Sequence, residues 1–385
     1  MTPNFVKNFI LLIFSTILSI FIIEFFYNLY QISNLKVKNW NHGGNKFDQY
    51  IKLRKTEKNL VVTTPPVFLL NKKKINSNIF PLSGISNLLT IDCNENGYFS
   101  KYLSDRYGFN NKNELWDKKI DLLLIGDSAV LGSCVNYSDT LAGNLNLKYN
   151  TISLGYGGNG PLIELGTIKE YIHLVKPKKV LWVYSEVNDL SDMLNELKNP
   201  ILKKYLSDEN FSQNLYKKQK IINEIQNKYF LEELKKFKNK KEKLLNFDEF
   251  SFSDVIVLKN LRHLIFGSIL GIYSKKYDKN IDSTISKFNE IIKKANNIVK
   301  SHNAELIFIL NPDRRVNRSN KSLINNEKII NIIKKQKIKF ISLDELMFVE
   351  SGDAKKYYSG RFEGSHFNEN GYKTASEIIL RNIFK

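Results

Sequence analysis

Cysteine is scarce in this chain: two residues in 385, Cys93 and Cys134. That excludes a cysteine-rich metal or disulfide scaffold. It leaves one disulfide in an exported domain or two separate thiols elsewhere. Histidine is nearly as scarce, at five residues: His42, His173, His263, His302 and His366. No H-x-x-x-H spacing or carboxylate cluster marks a metal site, and no metal is expected. The G-x-x-x-x-G-K-[ST] phosphate loop is missing too, which excludes a P-loop nucleotide site. Acid is also in deficit, with 39 Asp+Glu against 58 Lys+Arg and a net charge of +19. Such an excess suits nucleic acid or an anionic membrane surface. Here the lysines are scattered among Asn and Ile, without zinc-finger spacing or an aromatic–basic motif. No nucleic-acid partner and no cofactor are expected.

What is present starts with a long apolar run. Phe9 to Ile23 carries no charge, and the run continues past Glu24 to Tyr30. About 20 apolar residues span a bilayer as a helix. Tyr27 and Tyr30 suit the membrane interface. No small-residue cleavage site follows, so residues 9–30 are expected to be an uncleaved membrane anchor rather than a removed signal. Lys36, Lys38 and Lys46, by simple count, would hold the body inside. Long translocated domains escape that rule, and an exported body on a single-pass anchor is expected.

Residues 31–118 are less regular and read as an elaboration packed on the main domain. Val61–Thr64 and Val67–Leu70 bracket Pro65-Pro66, which predicts edge strands or extended chain. Turns are expected at Asn94–Gly97 and Asp105–Asn110. From 119 to 385 apolar runs alternate with helical patterns. Strands are predicted at 122–125, 151–154, 180–184, 306–310 and 338–343. Such alternation argues for an α/β fold, a parallel sheet covered on both faces. Residues 195–267 interrupt the rhythm. Their amphipathic stretch, Tyr216 to Asn246, reads as a solvated helical insertion, with a lid or partner-binding role as the sharper alternative.

Four places carry residues fit for chemistry. Gly126-Asp127-Ser128 follows the first strand of the alternating region. Gly155-Tyr-Gly-Gly-Asn-Gly-Pro161 follows the second, and Glu186-Val-Asn-Asp189 the third. Glu363-Gly-Ser-His366 precedes the final helix. Parallel strands would gather the first three on one rim, where open α/β sheets bind ligands. Ester cleavage needs a nucleophile, a base and donors for the developing oxyanion. Ser128 offers the hydroxyl and His366 the base. Glu363, three residues earlier, can hold the imidazole tautomer. Asn188 offers an amide donor, and a glycine in 155–160 a bare N–H. Blander readings stand beside each: Ser128 or Asn188 as helix caps, and His366 as a satisfied structural histidine. Gly155, Gly157 and Gly160 also match G-x-G-x-x-G. Pro161 and the lack of a placed acid about 20 residues on argue against a dinucleotide site.

In their order, these four blocks resemble those of the SGNH (GDSL-type) hydrolase superfamily. Gly126-Asp127-Ser128, Gly158, Asn188-Asp189 and His366 carry the resemblance, over about 119–192 and 304–385. It implies a three-layer flavodoxin-like sheet, with Ser128 as nucleophile and His366 as base. It also implies an oxyanion hole from the Ser128 N–H, the Gly158 N–H (Gly157 if the glycine block is offset by one) and the Asn188 side chain. Glu363 stands where the family has Asp. Asp127, Asn159 and Asp189 are expected to contact substrate. The anchor and the segment Ser104–Asn110 look like those of bacterial membrane-anchored members, which implies an inner-membrane protein with a periplasmic or other extracytoplasmic domain. The expected activity is a serine esterase acting on an O-acyl, and above all an O-acetyl, ester of an acylated carbohydrate such as an envelope glycan. Acyl transfer to a sugar hydroxyl through the same acyl-enzyme is the alternative, as is a non-catalytic glycan-binding module of an envelope polysaccharide system. In an exported domain, Cys93 and Cys134 are expected to pair and tie the preceding loop to the catalytic helix.

Overall fold

A computed structural model describes residues 3–41, 45–70, 78–245, 252–258, 261–262, 281–311, 320–348, 354–359 and 366–383. The chain divides into two units, 1–45 with 234–281, and 46–233 with 282–385.

In the first unit one helix runs Pro3–Asn41, past the expected end of the anchor. Its stretch Asn4–Tyr30 has a mean hydropathy of 2.6 and is long and apolar enough to cross a membrane. At about 1.5 Å per residue it exceeds the roughly 30 Å of a hydrocarbon core. Glu24, the only acid in that stretch, is buried and accepts the Leu261 N–H at 2.8 Å. A polar group in an apolar span is costly unless hydrogen-bonded, and this one has a partner within its own unit.

The second unit holds two sheets. Strands β1 (Leu60–Val62), β2 (Leu89–Ile91) and β3 (Lys101–Leu103) form the smaller one, with β1 parallel and β3 antiparallel to β2. The larger contains β4 (Leu122–Gly126), β5 (Thr151–Ser153), β6 (Lys179–Ser185), β7 (Glu305–Asn311) and β8 (Lys339–Ser342). Its order is β5-β4-β6-β7-β8 and every pairing is parallel. That is the flavodoxin-like order, and its switch point lies between β4 and β6.

Both faces of this sheet are covered. Alternation along β4 sends Leu123 and Ile125 to one core and Leu122 and Leu124 to the other, all fully buried. Helices Pro161–Val175 and Ile281–Ser301 supply Leu165, Ile168, Phe288 and Ile292 to the first core. Helices Leu141–Leu145 and Glu369–Ile383 supply Leu141, Tyr372 and Ile379 to the second. The result is three layers, as the alternation implied.

Residues 78–118 join the first core through Leu82, Tyr102, Phe109 and Leu115. Asp105 organises the expected turn there. It accepts from the Tyr107 and Phe109 N–H groups, Asn111 Nδ2 and Trp116 Nε1. Burial nonetheless pushes its pKa up to about 6.

Two expectations change. Val67–Leu70 is not a strand: Pro66–Leu69 forms a 3₁₀ turn, because proline at the first helical position is already set to a helical φ. The stretch Tyr216–Asn246 is not solvated throughout, since Ile222 and Gln226 are wholly buried, and the residues of 195–267 that precede it also reach the core. Leu202, Tyr205, Leu215 and Ile222 are fully buried in the first core, and the Tyr205 hydroxyl donates to Glu170 at 2.7 Å. Residues 234–281 belong to the other unit.

Candidate active site

Strand β4 ends at Gly126, where a Cβ would sit 2.6 Å from Val130 Cγ2 and 2.8 Å from the Val183 carbonyl. The absent side chain lets the helix Ser128–Leu131 start directly against the sheet. Asp127 caps that helix, its carboxylate accepting the Ala129 N–H at 3.0 Å. Ser128 is thus the first helical residue rather than the cap. Its half-buried hydroxyl donates to Asp127 Oδ2 at 3.3 Å.

The glycine block follows β5. A Cβ on Gly157 would lie 3.8 Å from Ser128 Cβ and 3.9 Å from Pro65 Cγ. Gly158 has φ +76°, and its Cβ would press on Val67 Cγ1 at 2.9 Å. Gly157 therefore stands beside the serine, while Gly158 makes the turn under the Pro66–Leu69 wall.

Past β6, Asn188 begins the helix Asp189–Glu196. Its side chain does not cap. Asn188 Nδ2 donates to Asp192 Oδ2 at 2.6 Å and also favours the charged form of Asp127. Burial raises the Asp192 pKa to about 6 despite the bond from Asn188. The Asp127 carboxylate is thus a common neighbour of Ser128 and Asn188, and it feels the charge of His366.

The side chains expected to contact substrate are enclosed instead: Asp127 is 2% exposed, and Asn159 and Asp189 are 0%. Asp127 is a helix cap. Asp189 accepts the Ser185 N–H at 2.8 Å and fixes the turn after β6. Asn159 lies wholly inside, with neither polar side-chain atom hydrogen-bonded among the described residues.

His366 sits between the bridged strand pair Tyr358–Phe367 and the loop after the serine helix. Its partner is an acid that the sequence reading passed over. Glu95 Oε1 is 3.1 Å from His366 Nδ1, and Oε2 accepts the His366 backbone N–H at 2.7 Å. A carboxylate only accepts, so Nδ1 carries the proton and Nε2 is left with its lone pair. Glu363, expected in this role, lies outside the described residues. Burial alone would lower the His366 pKa. The hydrogen bond and charge of Glu95, then Asp127 and Asp92, outweigh it and raise the value above 6.5. The signal for Glu95 was slight: one acid in the predicted turn Asn94–Gly97.

Cys93 and Cys134 form a disulfide with Cα atoms 4.8 Å apart. It joins the Glu95 segment to the loop that follows the serine helix. Cys134 Sγ is 3.7 Å from His366 Nδ1. Among the described residues, Cys93, Cys134 and His366 form the one group close enough to hold a metal ion. The disulfide removes both thiolates from such a set.

The serine at the end of β4, the asparagine at the end of β6 and the histidine before the last helix thus gather around Asp127, on the switch-point rim. The parallel three-layer sheet and its strand order are those that the resemblance read from the sequence implied. No protein-family model and no curated protein matches the chain. Solved structures similar to it include the lipase/acylhydrolase from Enterococcus faecalis, 14% identical with a TM-score of 0.37, over 69% of this chain and 95% of that one. A member of the lipolytic G-D-S-L family from Veillonella parvula is 11% identical, with a TM-score of 0.37, over 69% and 98%. A psychrotrophic esterase from Pseudoalteromonas is 9% identical, with a TM-score of 0.35, over 69% and 96%.

Proposed function

We propose that this chain is a membrane-anchored serine esterase with the SGNH fold, cleaving O-acyl esters through a Ser128–His366–Glu95 relay. The observation that carries the reading is His366, held by a carboxylate at Nδ1 on the rim that bears Ser128. His366 Nε2 takes the Ser128 proton as Oγ attacks the ester carbonyl. Glu95 holds the tautomer and stabilises the imidazolium that forms. The oxyanion is received by the Ser128 N–H, the Gly157 N–H and Asn188 Nδ2. Collapse of the tetrahedral intermediate returns the proton to the departing alcohol and leaves an acyl-enzyme. Water, activated by the same imidazole, then releases the acid and regenerates the serine.

The substrate assigned is an O-acetyl group on an envelope glycan. The anchor supports a substrate near the membrane, and the disulfide fits an exported domain in an oxidising compartment. Transfer to a sugar hydroxl would use the same acyl-enzyme, with the sugar in place of water.

The test is fluorophosphonate labelling and p-nitrophenyl acetate hydrolysis by the full chain in detergent, beside Ser128→Ala and His366→Ala. The expected result is a Ser128-dependent adduct and loss of hydrolysis in both variants. Well-folded protein that takes no label and turns over no ester would overturn the enzyme reading in favour of a glycan-binding module.

A further inference from the structure

We infer that the Cys93–Cys134 disulfide is a positioning element for the base of this site: it fixes Glu95 against His366, and cutting it with a dithiol slows turnover while leaving substrate binding in place. The inference rests on the reading of Ser128 and His366 as nucleophile and base.

Residues 92–96 grip Cys134 at three points. The Cys134 N–H donates to Asp92 Oδ2 at 3.1 Å, and its carbonyl accepts from Asn96 Nδ2 at 3.1 Å. Its sulfur is bonded to Cys93. Glu95 lies inside this grip and reaches His366 with both carboxylate oxygens. The Cys134 sulfur touches the same imidazole at 3.7 Å. One sulfur is therefore bonded to the segment that carries the acid and packed against the base. The segment is anchored further by Thr63, whose hydroxyl donates to Asp92 Oδ1 at 2.8 Å, and by Ser359, whose hydroxyl donates to the Glu95 carbonyl at 2.7 Å.

The backbone at Cys134 bears on this. Its φ is +68°, in the left-handed region. A non-glycine residue there is strained and persists only where its surroundings hold it. The two hydrogen bonds can be exchanged for bonds to water, but the covalent link cannot.

Reduction also makes a steric demand. Bonded sulfurs sit about 2.05 Å apart, whereas non-bonded heavy atoms settle at about 3.5–4.0 Å. The two sulfurs must separate by about 1.5 Å. Cys134 Sγ is already in contact with the imidazole, so the separation displaces either the Glu95 segment or His366. Misplacing a catalytic group by about 1 Å can cost roughly a hundredfold. The chemistry balances: the dithiol gives two electrons and two hydrogens to the disulfide, leaving two thiols and the oxidised cyclic reagent.

The test uses the full chain in detergent. It is reduced with dithiothreitol, freed of reagent by gel filtration, and assayed with a chelator so that no metal occupies the opened thiols. With p-nitrophenyl acetate, kcat is expected to fall roughly ten- to a hundredfold, with KM within about twofold. Cys93→Ser/Cys134→Ser should match the reduced protein without any reductant. A second readout needs no turnover: the His366 imidazole titration, followed by NMR. Glu95, Asp127 and Asp92 are the acids acting on His366, and withdrawal of Glu95 should move that titration to lower pH. Unchanged kcat and titration in protein with two titratable thiols overturn the inference. So does a loss of activity that comes only with loss of the circular dichroism signal. If even the oxidised chain hydrolyses no ester, the esterase reading fails, while the titration still decides whether the disulfide places Glu95.

Discussion

Replacing Glu95 by Gln keeps the shape of the side chain and removes its charge. In the native site one carboxylate oxygen lies 3.1 Å from His366 Nδ1 and the other 2.7 Å from the His366 N–H. At an effective dielectric of about 20, unit charges at that separation attract by about 5 kcal/mol. The histidine side chain is 31% exposed and the glutamate 22%. Solvent screening therefore leaves roughly half, about 2–3 kcal/mol. The attraction exists only once the imidazole is protonated, so it falls on the transition state. Steady-state hydrolysis of p-nitrophenyl acetate should show kcat/KM reduced by about 30–150-fold. A larger loss is expected if the amide also imposes the wrong tautomer. Glu363→Gln, made in parallel, should change kcat/KM little. The opposite pattern, with Glu363→Gln crippled and Glu95→Gln active, would refute the assignment of the acid.

The pH profile follows from the same pair. The base must be neutral, so kcat/KM should rise with pH through the His366 pKa, with a midpoint above 6.5. A midpoint at or below that value in the wild type contradicts the geometry, and Glu95→Gln should move it down. The two glycines separate next. Gly158→Ala forces a Cβ to 2.9 Å from Val67 Cγ1 at φ +76°, at a cost of roughly 1–2 kcal/mol, seen as a lower Tm. Gly157→Ala meets only ordinary contacts at 3.8 and 3.9 Å. Its Tm should hold while kcat falls, because the new methyl stands beside Ser128.

Strands β4, β6 and β7 were legible because each contains a continuous apolar run buried on both faces. All five lie within one residue of their predicted ends. Ser128 and Asn188 were legible because each directly follows such a run, and parallel strands place their carboxyl ends together. Glu95 was not. It is 271 residues from His366 in sequence and sits in an irregular segment with no period to read. Its closeness to the imidazole comes from packing of the elaboration onto the rim, which no local pattern encodes. The choice between Gly157 and Gly158 was open for a related reason. A run of glycines has no side chains whose spacing would set the register, and only the neighbouring Pro65 and Val67 tell the two apart. The amphipathic stretch Tyr216–Asn246 misled in the other direction. Charges between its apolar residues suggested a solvated face, yet Ile222 and Gln226 are wholly buried.

A buried acid near the site supplies a prediction about stability. Glu164, in the first turn of Pro161–Val175, is 1% exposed; neither carboxyl oxygen makes a hydrogen bond of ordinary geometry among the described residues, although the Trp182 indole N–H lies near enough to favour the charged form. Burial pushes its pKa well above the ordinary range, and the charges of Asp127 and Glu196 push it further. The folded protein therefore keeps this proton at pH values where the unfolded chain has released it. An acid with a raised folded pKa makes stability fall as pH rises above the unfolded value near 4.5. The slope is at most about 1.4 kcal/mol per pH unit. Glu164→Gln retains the shape and has no proton to lose, so its advantage over the wild type should widen from pH 5 to pH 8. At about 2–4 °C per kcal/mol, a thermal melt series across that range resolves the effect. If the Tm difference stays flat, or turns against glutamine as pH rises, the carboxyl is ionised in the fold and held by a cation, and the argument from burial fails.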